Sequence, residues 1–294
     1  MQKVLRKAPV VGFVRYSQKI IFAERERDMF ETEYFEYRFE IFKKVTLKSF
    51  QQQTDKNFVL LLLHSENMPS HLKKRFIELE GTNSFLQNIF VKDTMESFNE
   101  ALQNSIENVL FQEDTAITFR IDNDDAVQND FIQKLGEFTK KDFVGYSISI
   151  SNISFVKRIS EHSYMIEERY YPSNPIGLAY VTTKNCYKTV LEIGQHDLIN
   201  DEIPMILLAK NTTVGLLTIN GENAINSINS FKSIILDKPE FSQYLIERKL
   251  ENLDLDCLRI FIKKRSLKEI LELFIPPVYY FTVDKIKSVF SSKD

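Results

Sequence analysis

The sequence predicts an α/β protein: a mixed, mostly parallel sheet flanked by helices, with a C-terminal helical appendage. Three observations predict it. Short apolar runs alternate with amphipathic stretches through the first half of the chain, and this strand–helix alternation argues for parallel pairing. One run, FVLLLL from Phe58 to Leu63, has no polar position, as a strand covered on both faces requires. A fourth apolar run, Ala116 to Ile121, leads directly into a cluster of aspartates, and in parallel sheets ligands bind beyond the carboxyl ends of the strands.

Val10 to Val14 (VVGFV) reads as the first buried strand. From Glu31 to Gln52 apolar residues recur at helical spacing: Tyr34, Phe35, Phe39, Phe42, Val45, Leu47 and Phe50. Phe58 to Leu63 is the second strand. Pro69 suits a helix start, and the amphipathic run behind it reaches Glu80. Asn88 to Val91 is the third strand. Ser97 to Leu110 is a helix with Phe98, Ala101, Leu102, Ile106, Val109 and Leu110 on its inner side. After about Phe143 the character changes. FVGYSISISNISFVKRI, HSYMIEERYY and GLAYVTT alternate and are rich in β-branched and aromatic residues, which predicts strands with antiparallel pairing. Lys184 to Gly194 and Asp201 to Lys210 read as helices, Val214 to Ile219 as a last strand, and FSQYLIERKL, DLDCLRIFIKK and SLKEILELF as helices. A soft boundary near Ser230 separates a domain of residues 1–230 from a helical extension, 231–294, packed on it.

Composition narrows the function classes. The 294 residues allow one large domain with an appendage. With 43% apolar and 27% charged residues the chain is too apolar for a disordered one. Its 41 acidic and 38 basic residues give a net charge of −3, which excludes an overall basic nucleic-acid binder. Cys186 and Cys257 make no disulfide framework, and with four histidines they make no zinc ligand set. Arg15 interrupts the N-terminal apolar stretch too soon for a signal peptide. The run FVLLLL falls far short of the about 20 residues that span a membrane. These features point to a cytoplasmic protein with reduced thiols.

The segment TFRIDNDDAVQNDF, residues 118 to 131, carries most of the chemistry. Asp122, Asp124 and Asp125 fall within one turn, where their charges repel. They stay ionised at low cost only when a cation or hydrogen-bond donors compensate. A hard divalent ion that takes oxygen ligands, Mn²⁺ or Mg²⁺, matches both the ligand type and the crowding. Arg120 lies on the opposite sheet face from Ile121 and can hold the acidic loop or a phosphate. A plainer reading also exists: aspartates favour turns and helix caps, and Asp125 would then cap a helix starting at Ala126.

Three segments together resemble a known family. They are FVRYS (Phe13 to Ser17), FEIFKKVTLKSFQQQTDKNFVLLLL (Phe39 to Leu63) and FRIDNDDAVQNDFI (Phe119 to Ile132). The last is similar to the DxD motif of GT-A glycosyltransferases, and the set resembles the family described as rhamnosyltransferases of bacterial surface-polysaccharide loci. The second half resembles it only loosely, around IGLAYVTT and LLTINGENAINS. The resemblance implies a Rossmann-like GT-A domain and a transferase that uses a nucleotide-sugar donor and a saccharide or lipid-linked saccharide acceptor. It implies that Asp122 and Asp124 match the motif acids, with Asp125 beside them. Asp124 would be the most direct metal ligand, and Asp122 would lie nearer the ribose or bind through water. It further implies nucleotide contacts at Arg15 and Ser17. His64, Ser65 and Asp93, after the second and third strands, would face the base or ribose. For each of these a simple structural role is the alternative: a rim salt bridge for Arg15, an ordinary loop residue for the others, His64 above all. GT-A enzymes often carry the acceptor base at a helix start in the region of GQHDLINDEIP. Asp201 or Glu202 fits that role best and Asp197 third, while Asp201 also reads as a helix cap ahead of Pro204. The donor sugar comes only from the family description.

Two competing classes follow from the same residues. A nucleotidyltransferase or other phosphoryl-transfer enzyme would use the same acids, but Gly12 stands alone in the first strand where a glycine-rich signature is expected. A non-catalytic carbohydrate-binding module would not need the three acids intact. Tyr170 and Tyr171 read as core packing or as the lining of an acceptor groove. The stretch from Arg265 to Phe290, with cations flanking apolar residues, reads as an ordinary appendage or as an amphipathic surface for peripheral membrane contact.

Overall fold

The computed structural model describes residues 8–17, 29–110, 114–183, 188–194, 203–208, 214–220, 228 and 232–260. Every residue of the second strand, β2 (Phe58–Ser65), is buried. Phe58, Leu60 and Leu62 enter one core while Val59, Leu61 and Leu63 enter another on the opposite face. β2 runs parallel to β1 (Val10–Ser17) on one side and to β3 (Leu86–Val91) on the other. β4 (Thr115–Ile121) extends the parallel block beyond β1. The predicted strands of the first half therefore all form, and their pairing is parallel as the alternation requires.

The sheet continues through β9 (Ala179–Thr183), antiparallel to β4 and to β6 (Ser147–Ile150), and ends with β10 (Met205–Leu208), parallel to β6. Its order is β10-β6-β9-β4-β1-β2-β3, and β9 alone runs against the rest. A second sheet has the order β12-β8-β7-β11-β5. It comprises β5 (Ala126–Val127), β7 (Asn152–Arg158), β8 (Ser163–Tyr170), β11 (Val214–Thr218) and β12 (Ile234–Asp237). The antiparallel pairing predicted for the second half holds for β7–β8, β6–β9 and β4–β9, while β6–β10 and β7–β11 are parallel. The chain crosses from the first sheet to the second three times, from β4 to β5, from β6 to β7 and from β10 to β11. Buried Ser151 alone separates β6 from β7, and residues 122–125 separate β4 from β5.

The periodic run after Glu31 forms α1 (Thr32–Ile41), a widened π-helical turn (Phe42–Thr46) and α2 (Leu47–Gln51). α3 (Ser70–Thr82) begins directly after Pro69. With α5 (Phe131–Gly136) these helices cover one face of the first sheet through Phe35, Phe39, Phe42, Phe50, Phe76 and Phe131. α4 (Met95–Leu110) covers the other face with Phe98, Leu102 and Ile106. α6 (Lys238–Glu247) starts with a capping box, Asp237 and Glu240 bonding reciprocally. It lays Phe241, Tyr244 and Leu245 on the second sheet. Among the described residues no helix is long and apolar enough to cross a membrane.

Four expectations give way. Val214 to Ile219 is not the last strand, since β12 (Ile234–Asp237) follows it and pairs with β8. Of Asp201 to Lys210, predicted as a helix, the described residues 203–208 hold a strand at Met205–Leu208 instead, because a four-residue apolar run is too short to carry helical periodicity. In Lys184 to Gly194 the described residues 188–194 form turns, with Thr189 and Glu192 bonded to each other. Ala126 begins a strand, so Asp125 caps no helix. DLDCLRIFIKK contributes a short 3-10 turn at Leu255–Cys257 within its described part. Residues 261–294, which hold SLKEILELF and the Arg265 to Phe290 surface, lie outside the described residues, as does Cys186.

Gly12 has a packing reason to be glycine. It lies directly opposite Phe119 on β4 and Leu60 on β2. A Cβ there would stand 2.3 Å from Phe119 Cζ and 2.7 Å from Leu60 Cδ1. Phe119 has no room to yield, being stacked on Phe50 at 5.7 Å and edge-on to Phe131 at 5.3 Å. Overpacking of this kind costs about 1–3 kcal/mol, and in a chain of this size each kcal/mol moves the melting temperature by roughly 2–4 °C. Gly12→Ala is expected to lower the melting temperature by several degrees in a thermal melt. Adding Phe119→Leu is expected to recover part of the loss.

Candidate functional site at the carboxyl ends of the parallel strands

β1 and β4 end side by side, and their pleat sets which side chains meet. Phe13 is paired with Arg120. Directly opposed residues share a face, as do residues two apart along a strand. Arg15 and Arg120 therefore emerge together beyond the apolar part of the face that α4 covers. Both approach one carboxylate: Asp122 Oδ1 lies 3.9 Å from Arg15 Nη2 and 3.8 Å from Arg120 Nη2. Burial, and next the charge of Arg120, push the Arg15 pKa down to about 10, with Asp122 opposing. Arg120 Nε is buried without a hydrogen-bond partner among the described residues. Two guanidinium groups facing one carboxylate leave an excess of positive charge, and an arginine fork fits phosphate oxygens.

The loop between the sheets separates the three predicted acids into three environments. Asp122 is the open one, its side chain 41% exposed. Asp124 is half-buried. Asn220 donates from Nδ2 to Asp124 Oδ2 at 2.8 Å, and the Thr218 hydroxyl donates to the Asp124 carbonyl at 2.8 Å. Asp125 is buried, and its Oδ1 has no hydrogen-bond partner among the described residues. Burial first, then the charges of Asp124 and Asp122, hold the Asp125 carboxyl well above the usual range, against the Thr218 N–H and Arg120. Among the described residues no group of three or more His, Cys, Asp or Glu side chains is arranged to hold a metal ion together. Between the first two acids sits Asn123, whose Oδ1 accepts from Arg38 Nη2 at 2.8 Å.

Ser17, Ser65 and Asp93 come together at the ends of β1, β2 and β3. The Ser65 hydroxyl donates to Asp93 Oδ2 at 2.6 Å, and the Ser65 N–H donates to Ser17 Oγ at 3.3 Å. Asn67 Nδ2 donates to the same Asp93 oxygen at 3.1 Å. His64 stands apart in character. It is fully buried among Tyr16, Phe76 and Phe90, with Nε2 2.9 Å from Asn88 Oδ1. Burial pushes its pKa down to about 3, with the Asn88 bond opposing, so the ring is neutral and packed. Asp197, Asp201 and Glu202 lie outside the described residues.

Sequence reasoning missed Arg38, Asn123, Thr218 and Asn220. Arg38 carried a signal: it sits four residues after Tyr34 and four before Phe42, inside the apolar stripe of its helix. A charged residue in such a stripe needs a buried partner. Thr218 and Asn220 fall in LLTINGENAINS, where the resemblance is only loose, and their role depends on β11 arriving beside β5.

A parallel-stranded α/β sheet with arginines and carboxylates at its carboxyl ends defines a ligand-binding domain of the doubly wound type. The chain belongs to the family described as "Putative rhamnosyl transferase", whose pattern matches residues 8–230. Membership supports a glycosyltransferase, and it is the family that the three segments from Phe13 to Ile132 resemble. No curated protein matches the chain. Among solved structures it is similar to TarS of S. aureus (11% identity, TM-score 0.42, covering 74% of this chain and 37% of that one). It is also similar to a TarS 1-349 complex with UDP (10% identity, TM-score 0.40, 73% and 61%). A third is the inositol-1-phosphate CTP transferase of T. maritima (11% identity, TM-score 0.34, 83% and 97%). The chain thus spans less than two thirds of either TarS chain.

The neutral burial of His64 has a measurable consequence. Its folded pKa is depressed from 6.5 to about 3, so between these values the unfolded chain binds the proton that the folded chain excludes. Its contribution is complete above about pH 6.5 and is lost as the pH falls toward 3, with a limiting slope of roughly 1.4 kcal/mol per pH unit. Urea denaturation at pH 7, 6 and 5 is expected to show falling stability. His64→Gln, which has no imidazole to protonate, should flatten that dependence. An unchanged slope in the variant would place the proton elsewhere.

Proposed function

We propose that the protein is a metal-dependent GT-A glycosyltransferase. On this reading it moves a sugar from a nucleotide-sugar donor to a saccharide or lipid-linked acceptor in bacterial surface-polysaccharide synthesis. The observation that carries the reading is the pair Arg15 and Arg120 around Asp122, with a buried Arg120 Nε that has no hydrogen-bond partner among the described residues. That corner has the charge for a diphosphate, and its acids have the chemistry for the ion that accompanies one.

Arg15 and Arg120 bind the diphosphate oxygens. Ser17, Ser65 and Asp93, one strand further along, receive the ribose and base through hydroxyl and carboxylate groups. Asp124 and Asp122 would hold Mn²⁺ or Mg²⁺, and their hard oxygen donors, with the buried Asp125 Oδ1 that has no hydrogen-bond partner among the described residues beneath them, fit such a cation. When bound, the ion neutralises charge on the departing nucleoside diphosphate as a Lewis acid. Asp125 lies out of solvent beneath the loop, where burial and the neighbouring acids disfavour its charge. A carboxylate of the Asp201–Glu202 pair, with Asp197 third in order, takes the proton of the acceptor hydroxyl. The hydroxyl oxygen then bonds to the anomeric carbon as the bond to the diphosphate oxygen breaks. The family description favours a deoxysugar such as rhamnose as the group transferred.

Calorimetric titration with UDP and thymidine diphosphate, with and without Mn²⁺, tests the reading. Metal-dependent binding is expected for the wild type and its loss for Asp124→Ala, with the melting temperature preserved. Unchanged metal-dependent affinity in that variant would overturn the assignment. Arg120→Ala removes charge-assisted hydrogen bonds worth about 1.5–3 kcal/mol and is expected to weaken diphosphate binding at least tenfold. It should leave binding of the bare nucleoside unaffected. Asp201→Asn and Glu202→Gln are expected to slow turnover far more than they weaken donor binding. Normal turnover in both would place the base elsewhere or indicate retention of configuration.

A further inference from the structure

We propose that Arg38 is a positioning residue for the acidic loop, orienting Asp122 and Asp124 by gripping Asn123 between them; this rests on the metal-site reading above. Arg38 is buried on α1. Its Nη2 donates to the Tyr16 carbonyl at 2.9 Å and to Asn123 Oδ1 at 2.8 Å. Its guanidinium lies over the rings of Tyr16, at 5.1 Å, and Tyr34, at 5.5 Å. Among the described residues it forms no salt bridge with a carboxylate. A buried cation without a counterion is costly, and packing alone would be served more cheaply by a neutral side chain. The two acceptors say what the charge is used for. One is the end of β1, next to Arg15, and the other is the middle of the loop that carries the acids.

Holding Asn123 fixes the turn on both sides of it. Asp122 is then directed to Arg15 and Arg120, and Asp124 to Asn220. The adjacent helix residue works toward the same end. The Tyr37 hydroxyl donates to the Asn220 carbonyl at 3.4 Å, and Asn220 holds Asp124. Two consecutive residues of α1 thus reach the loop from its two sides, one through Asn123 and one through the end of β11.

A role confined to packing α1 on β1 would act through Tyr16 alone and would not involve Asn123. A double-mutant cycle separates the two. Mn²⁺-dependent binding of UDP and thymidine diphosphate is measured by calorimetry for wild type, Arg38→Gln, Asn123→Ala and the double variant. Each single variant is expected to lose about tenfold in affinity, the scale of one charge-assisted hydrogen bond. The double variant should lose no more than the worse single one. Asn123→Asp, which keeps the acceptor oxygen, is expected to bind as well as wild type. Wild-type affinity in Asn123→Ala, or additive losses in the double variant, would overturn the proposal while leaving the metal site standing. Should Arg38→Gln fail to fold, Asn123→Ala against Asn123→Asp decides alone. Absence of metal-dependent binding in the wild type would remove the metal site and this inference with it.

Discussion

Repulsion among carboxylates packed into one turn is the constraint to which the rest of the corner answers. Asp122, Asp124 and Asp125 belong to a single four-residue crossing between two sheets, and each is met by a different compensation. Guanidinium groups from the first sheet face Asp122. Asn220 and Thr218, from the end of β11 in the second sheet, hold Asp124. Asp125 goes under the loop, where its own charge is disfavoured. The site therefore depends on both sheets being formed, although every acid comes from one short segment.

Much of this architecture was legible in the residues. An apolar run without a polar break says that both faces are covered, and β2 has a core on each. The stripe from Tyr34 to Phe50 foretells a helical run, though not the π turn within it. The aromatic abundance resolves into packed rings around Tyr16, Phe76 and Phe119. What stayed hidden was set by distant pairing. Nothing local distinguishes MILL of β10 from a helical turn, since its partner β6 lies far back in the chain. The separate fates of Asp122 and Asp125 also depend on β5 joining β11, which no spacing announces. Arg38 was readable in principle, as a charge misplaced in an apolar stripe, but its acceptor Asn123 could be named only from the folded chain.

The family pattern ends at residue 230, yet the second sheet continues past that point. β12 pairs with β8, and α6 seals Val156, Tyr164 and Ile166 from above. A polar cluster ties the helix down: the Tyr244 hydroxyl lies 2.6 Å from Ser154 Oγ and donates to Glu168 Oε1, which also accepts from Arg248. Ser154 belongs to β7, the neighbour of β11. The elements after residue 231 thus brace the same sheet whose far end holds Asp124.

The lone reversed strand β9 has a consequence for synthesis of the protein. Among the described residues it is the link between the parallel block β4-β1-β2-β3 and the pair β6-β10. Translation delivers β6, β7 and β8 before β9. The parallel block can assemble as it leaves the ribosome, while β6 waits for the intervening strand that fits between it and β4. Pairings between distant segments form slowly, and unpaired strand edges in such intermediates are prone to aggregation. The second sheet takes β7 out of that interval by hairpin pairing with β8, which makes it the nascent chain's means of keeping an unfinished strand occupied.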